Sequence, residues 1–166
     1  AIEGGGFFQV LLPDGRIGYT RNGAFSTNAD GVLTTSSGYV VQPEIAIPDG
    51  VSQINISRDG IISVLVAGAN GAEAVGQLQL ADFTNRTGLQ PIGESFFVQT
   101  DTSGDPVINV PQGDGMGRLI QGAVEASNVN VVTELVEMIE TQRAYEVSSK
   151  SITSVDEMLR FISQNL

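Results

Sequence analysis

From Ala1 to about Gly122 the apolar positions fall in short runs, rich in β-branched and aromatic side chains, and polar turn dipeptides cut the runs apart. These dipeptides are Asp14-Gly15, Asn22-Gly23, Asp30-Gly31, Asp49-Gly50, Asp59-Gly60 and Asn70-Gly71, all of residue types that tolerate positive φ. Between them the pattern predicts strands near Phe7 to Leu12, Ile17 to Thr20, Val32 to Thr34, Tyr39 to Val41, Ile54 to Ser57, Ile61 to Val66, Gln77 to Phe83 and Phe96 to Gln99. Many short strands with turn signals at even spacing indicate an antiparallel body, a distorted β-barrel or sandwich. The stretch TSGDPVINVPQGDGMG, residues 102–117, holds too much Gly and Pro for a central strand and reads as a loop or edge excursion.

After Asn130 the pattern changes: no Gly or Pro occurs through Leu166, and the apolar residues recur by threes and fours. The stripe runs Leu135, Ile139, Tyr145, Ile152, Val155, Leu159, Ile162 and Leu166, interrupted at Gln142 and Ser149, with a mean step close to that of a heptad seam. Asn130 is the expected N-cap, Glu134, Glu137 and Glu140 bring negative charge toward the positive end of the helix, and Glu146 with Lys150 and Asp156 with Arg160 are i,i+4 pairs. The fold class is thus mainly β with a long C-terminal α-helix that is coiled-coil-like, divided into a β-rich domain, 1–126, and a helical segment, 127–166. One helix over 131–166 would extend roughly 54 Å at about 1.5 Å per residue, longer than a small β domain is wide. Its stripe needs a second helix, and the pattern offers none in 1–126. The stripe, with Gln142 in its path, is therefore the candidate subunit interface.

Composition narrows the chemistry. Eight basic residues against nineteen acidic give a net charge of -11, which repels nucleic acid and anionic membrane surfaces. With no Cys and no His, disulfides, the commonest zinc ligands and a Ser-His-Asp triad are excluded. No apolar run is long enough to span a bilayer, so no direct membrane insertion is expected. The start, AIEGGGFFQV, has no initiating Met and no cleavage pattern, which points to a processed chain or a piece of something longer.

The residual motifs are weak. GDGMGRL has the wrong glycine spacing for a phosphate loop, and STNADG begins like a calcium loop through Asn28, Asp30 and Gly31 but has Ser37 where the bidentate Glu belongs. Asn55-Ile56-Ser57 and Asn85-Arg86-Thr87 match the glycosylation triplet, a pattern that arises often by chance. A glycoside hydrolase needs only two carboxylates, yet Asp14, Asp30, Asp49, Asp59, Asp101, Asp105 and Asp114 sit in turn signals. No catalytic residue, metal ligand or cofactor is expected. A secreted carbohydrate-binding or adhesive β module is the competing reading; it accounts for the first part of the chain and leaves the helix without a purpose.

The segments GGGFFQV, YTRNGAFSTNADGVLTTSSGYVVQP, QGAVEASNVNVVTELVEMIETQRAYE and SITSVDEML resemble, in order and spacing, the flagellar hook and basal-body rod family. The resemblance covers nearly the whole chain. It implies a structural, non-enzymatic subunit of a hollow axial tube, with a β-rich domain outside and an inner layer built from an N-terminal and a C-terminal helix of each subunit. Residues 127–166 resemble the C-terminal helix; the N-terminal helix and its Asn-rich connecting motif are not in this sequence. The partners it implies are further copies of the chain in a helical homopolymer, neighbouring axial proteins of the proximal rod and hook, and the envelope rings around the rod. The location it implies is the flagellar basal body, reached by export across the inner membrane.

Overall fold

The computed structural model describes residues 1–67 and 71–164, with side chains described as far as Arg160 in the helix. The chain divides into two units, Ala1–Glu125 and Ala126–Leu166.

The first unit contains fourteen short strands: β1 (Ile2–Glu3), β2 (Phe7–Leu11), β3 (Ile17–Thr20), β4 (Phe25–Thr27), β5 (Leu33–Thr35), β6 (Val40–Gln42), β7 (Val51–Ile56), β8 (Ile61–Val66), β9 (Glu73–Gln77), β10 (Leu80–Asp82), β11 (Gln90–Gly93), β12 (Phe96–Val98), β13 (Val107–Asn109) and β14 (Arg118–Leu119). Every pairing is antiparallel. A nine-stranded sheet runs β11-β12-β3-β2-β6-β5-β4, with β10 also on β2 and β13 on β10; β7-β8-β9 form a second sheet, and β1 pairs β14. The sheets do not close into a barrel, and the body is sandwich-like.

Strand β2 is where the large sheet forks. One edge pairs β3; the other is shared, Phe7 and Phe8 facing β10 and Gln9 to Leu11 facing β6. Both faces of β2 are covered from Phe7 to Val10, and Leu11 at its end is exposed. Phe8, Val10 and Leu12 enter a core that includes Val41 from β6, Leu80 from β10, Ile62 and Val64 from β8, and Ile2 and Leu119 from the β1–β14 pair. Phe7, on the opposite face, packs with Tyr19, Ala81, Phe83 and Leu89. A strand buried on both sides loses the polar alternation of a half-exposed one, which is why FFQVLL is nearly continuous in apolar residues.

The expected strands at Phe7, Ile17, Ile61 and Phe96 form with boundaries within a residue of those read from the pattern. The single strand expected over Gln77 to Phe83 is two: β9 ends at Gln77 in the three-stranded sheet and β10 starts at Leu80 in the nine-stranded one. The chain changes sheet at Leu78, whose side chain is core and whose N–H donates to Gly60 O at 2.9 Å. Strand β7 starts at Val51, three residues before its expected start, because an outer strand has no apolar alternation to read; Ser52 to Asn55 are exposed. In the Gly/Pro-rich stretch, β13 is an edge strand hydrogen-bonded only through β10. Asp14-Gly15, Asp30-Gly31, Asp49-Gly50 and Asp59-Gly60 all place their Gly at positive φ. Asn22-Gly23 does not; the Asn22 side chain instead accepts from the Ala24 N–H, and β3 and β4 are not partners. Of Asn70-Gly71, Asn70 lies outside the described residues.

The second unit is one helix, α1 (Val131–Gln164). Asn130 Oδ1 accepts from the Val132 N–H at 3.1 Å, and Asn130 O accepts from Glu134 N–H at 3.1 Å. Of the three acids read as dipole partners, only Glu134 falls in the first turn; Glu137 and Glu140 lie beyond the reach of the helix end. Neither Glu146–Lys150 nor Asp156–Arg160 closes into an ion pair among the described residues. All four side chains are exposed, where holding two long chains together costs as much entropy as the contact returns.

Candidate assembly surface

The expected interface residues from Leu135 to Leu159 lie on α1 and are presented to solvent. Leu135 is 51% exposed, Ile139 49%, Tyr145 76%, Ile152 65%, Val155 54% and Leu159 58%. Gln142 is exposed as well; the Ile162 side chain and Leu166 lie outside the described residues. A helix with that much apolar area in water is marginal by itself, and burying one Leu or Ile contributes about 1.5 to 3 kcal/mol.

The stripe does not keep to one face. At about 100° per residue, Val132, Leu135, Val136 and Ile139 share one sector about 100° wide, whereas Ile152, Val155 and Leu159 gather in a sector nearly opposite. Gln142 and Tyr145 lie between them. A second row escapes a reading by threes and fours: Met138, Tyr145, Ile152 and Leu159 follow one another at intervals of seven, all exposed. A strict seven-residue row drifts by about 20° per heptad on a straight helix and is brought into line by a left-handed supercoil around a partner. Val131, Val132, Val136, Met138, Val147 and Met158 are the large exposed apolar residues of α1 that the single-path reading passed over, among the described residues. Of these, the heptad count finds Met138.

In the β unit, the conspicuous side chain is Arg21. Its Nε donates to both oxygens of Glu125, at 3.0 and 2.8 Å; Nη1 donates to the carbonyls of Gly4 (3.1 Å) and Gly6 (3.0 Å), and Nη2 to that of Ile2 (3.2 Å). The guanidinium stands 6.0 Å from the centre of the Phe7 ring. One planar fork thus joins residues 2–6, where the chain runs into the body, to Glu125, where it leaves. The Ile120 N–H donates to Ala1 O at 2.9 Å, and the β1–β14 ladder completes the join. Sequence reasoning missed Arg21, because a lone Arg in a turn-rich segment carries no sign of a partner 104 residues away.

The β unit offers little for chemistry. Glu3, Asp14, Asp82 and Glu125 are each tied to an arginine. In Asp82 the hydrogen bonds from Arg86 hold the carboxyl below its ordinary range. The four described clefts contain at most one carboxylate each, so none of them provides the facing pair that glycoside hydrolysis needs. Asn28 Oδ1, the would-be calcium ligand, accepts from the N–H groups of Asp30 and Val32 and is used up in an Asx turn. The eight aromatic side chains of the unit are buried or half-buried and meet edge to face, as in Phe8–Phe25, Tyr19–Phe83 and Tyr39–Phe96. They form no platform on which a sugar could stack.

None of the described clefts holds a carboxylate pair, and α1 carries its apolar rows exposed. Residues 1–64 match the family model of the flagellar hook protein FlgE/F/G D1 domain, and residues 120–165 match that of the flagellar basal body rod FlgEFG protein C-terminal region. The chain is 52% identical over 164 residues to the flagellar basal-body rod protein FlgG of Buchnera aphidicola from Acyrthosiphon pisum, covering 99% of this chain and 63% of the relative. It is 45% identical to FlgG of Caulobacter vibrioides, with the same coverage, and 35% identical to the flagellar basal-body rod protein FlgF of Escherichia coli K12, over 95% of this chain and 63% of that protein. The chain belongs to the flagellar hook and basal-body rod family. It spans just under two thirds of the length of these relatives.

Proposed function

We propose that the chain is the β domain and C-terminal helix of a structural subunit of the bacterial flagellar basal-body rod, in its distal segment. The subunit has no turnover and no cofactor. It self-assembles into a hollow axial tube that transmits torque and serves as an export channel, within the periplasmic part of the basal body. The observation that carries this reading is the exposed heptad row of α1, in a chain that matches rod proteins along its whole length. The helix lines the tube, paired with a second helix of the subunit, and the β unit faces outward. Neighbouring partners are other copies, the proximal rod, the hook and the surrounding envelope rings. Identities of 45–52% to six FlgG sequences and 36% to a seventh, against 35% to FlgF, together with the run ETQRAYE at residues 140–146, support the distal rod over the proximal rod or hook.

The test is Ile152→Asp with Leu159→Asp in the full-length protein. Each substitution puts a carboxylate where a partner helix buries a side chain, and an unpaired charge there costs several kcal/mol or prevents assembly. The expected result is a soluble subunit whose β unit keeps its thermal transition, forms no polymer and leaves cells non-motile, whereas Ser148→Asp assembles. Working rods built from the double variant would refute the proposal.

A further inference from the structure

The β unit, residues 1–125, carries thirteen carboxylates and five arginines. Two such units repel one another unless attraction is concentrated at particular points. Four of the arginines are committed within the unit: Arg16 to Asp14, Arg21 to Glu125, Arg86 to Asp82 and Arg118 to Glu3. The fifth, Arg58, is exposed and joins no ion pair among the described residues.

Arg58 borders a cleft of about 320 Å³ between the end of β7 and β14, lined by Asn55, Ile56, Arg58, Arg118 and residues 119–121. Its walls are held by hydrogen bonds. The Leu119 N–H donates to Arg58 O at 3.1 Å; the Gln121 side chain accepts from the Ile56 N–H at 2.8 Å and donates to Ile54 O at 2.9 Å. Arg118 Nε donates to Glu3 Oε2 at 2.6 Å, and the fields of Arg118 and Arg58 both act on that carboxyl, after the hydrogen bond itself. Arg118 is thus paired with Glu3, whereas Arg58 joins no ion pair among the described residues and lines a cleft that contains no acid, in a chain of net charge -11.

We propose that this cleft receives a carboxylate side chain of a second copy of the chain, in a head-to-tail contact between neighbouring β units. The proposal rests on the rod reading, in which each β unit faces further copies. Charge complementarity selects the occupant: a guanidinium fork beside the Asn55 amide matches a carboxylate, and the rest of the unit's surface is rich in acids with no arginine of their own, among them Asp30, Glu44, Asp49, Asp101 and Asp114. The cleft lining holds two arginines and no acid, so it repels its own image. The contact is therefore heterologous, the kind that propagates into a helical filament rather than closing into a dimer.

The experiment measures the critical concentration for polymerisation of the full-length protein by sedimentation, for wild type, Arg58→Glu, Arg58→Gln and Arg16→Glu. The last makes the same change of charge at an arginine away from the cleft. Arg58→Glu should raise the critical concentration by about tenfold or more, because it places like charges together. Arg58→Gln should raise it less, Arg16→Glu should stay near wild type, and thermal unfolding of the subunits should be unchanged. If Arg58→Glu lowers the thermal transition, Arg58→Gln decides. An unchanged critical concentration in the Arg58 variants, or an equal rise in Arg16→Glu, overturns the proposal. Failure of the wild type to polymerise counts against the rod reading instead.

Discussion

Replacing Arg21 should cost the β unit more than any ion-pair count suggests. In Arg21→Ala the contact to Glu125 disappears, but both carboxylate and guanidinium are partly solvated, 42% and 29% exposed, and such a pair is worth about 1 kcal/mol at most. The larger loss lies in the carbonyls of Ile2, Gly4 and Gly6, which give up charge-assisted donors at 3.0 to 3.2 Å. At about 1 kcal/mol for each, with about 0.5 kcal/mol from the Phe7 ring, the total is about 4 kcal/mol. For a unit of this size each kcal/mol lowers Tm by about 3 to 5 °C, so Arg21→Ala should melt about 12 to 20 °C below wild type and Glu125→Gln within about 5 °C of it. Arg21→Lys should fall between them, since one ammonium cannot reach the Glu125 carboxylate and three carbonyls together. Near-ultraviolet circular dichroism, which reports the packed aromatic side chains, follows the transition, and amide exchange should show protection lost first in residues 2–6 and 119–124. A Tm for Arg21→Ala within about 4 °C of wild type, or a Glu125→Gln variant just as unstable, would refute the view that the fork rather than the ion pair secures the join.

Gly60 and Gly38 share a φ of +86°, but a Cβ on Gly60 would lie 2.9 Å from both Leu78 O and Pro111 Cγ while one on Gly38 meets nothing within 4 Å. Gly38→Ala should therefore cost about 1 to 2 kcal/mol from backbone conformation alone and Gly60→Ala about 1 to 3 kcal/mol more, read from urea midpoints. Asp82, held below its ordinary range chiefly by the Arg86 hydrogen bonds, contributes stability that is full above its unfolded pKa and disappears as pH falls through the lower folded value. Asp82→Asn should thus be less stable than wild type at pH 7 and lose less between about pH 4 and pH 2, which urea titrations at both ends of that window would show.

The sequence made the central strands and the helix legible because burial forces a pattern on them. Phe8, Val10 and Leu12 mark β2 whatever its neighbours are, and the absence of Gly and Pro after Asn130 marks α1. Outer strands such as β7 and β11 bury little and have no such pattern; β11 even accommodates Pro91. The break between β9 and β10 was hidden because Leu78 is as apolar as a strand residue would be, and its place in the core is set by Gly60, far away in sequence. The same limit applies to the functional surface. The helical rows were visible, except that one path of threes and fours concealed the heptad through Met138. Arg21 and Arg58 owe their character to what folding brings near: one has its carboxylate and carbonyls, and the other joins no ion pair among the described residues. No local motif distinguishes the two.

The two-residue ladder between β1 and β14 has a mechanical meaning. Ile2 faces Leu119 and Glu3 faces Arg118, so the chain enters and leaves at the same end of an antiparallel pair. A load that draws Ala1 and Glu125 apart peels this ladder one rung at a time, a geometry in which the bonds yield in sequence and never share the force. Against that load the Arg21 fork is a latch across the mouth of the zipper, because it grips Glu125 on one side and the carbonyls of Ile2, Gly4 and Gly6 on the other. A load that moves both ends together leaves the ladder unstrained and swings the β body as a rigid weight. The unit withstands being carried better than being pulled open.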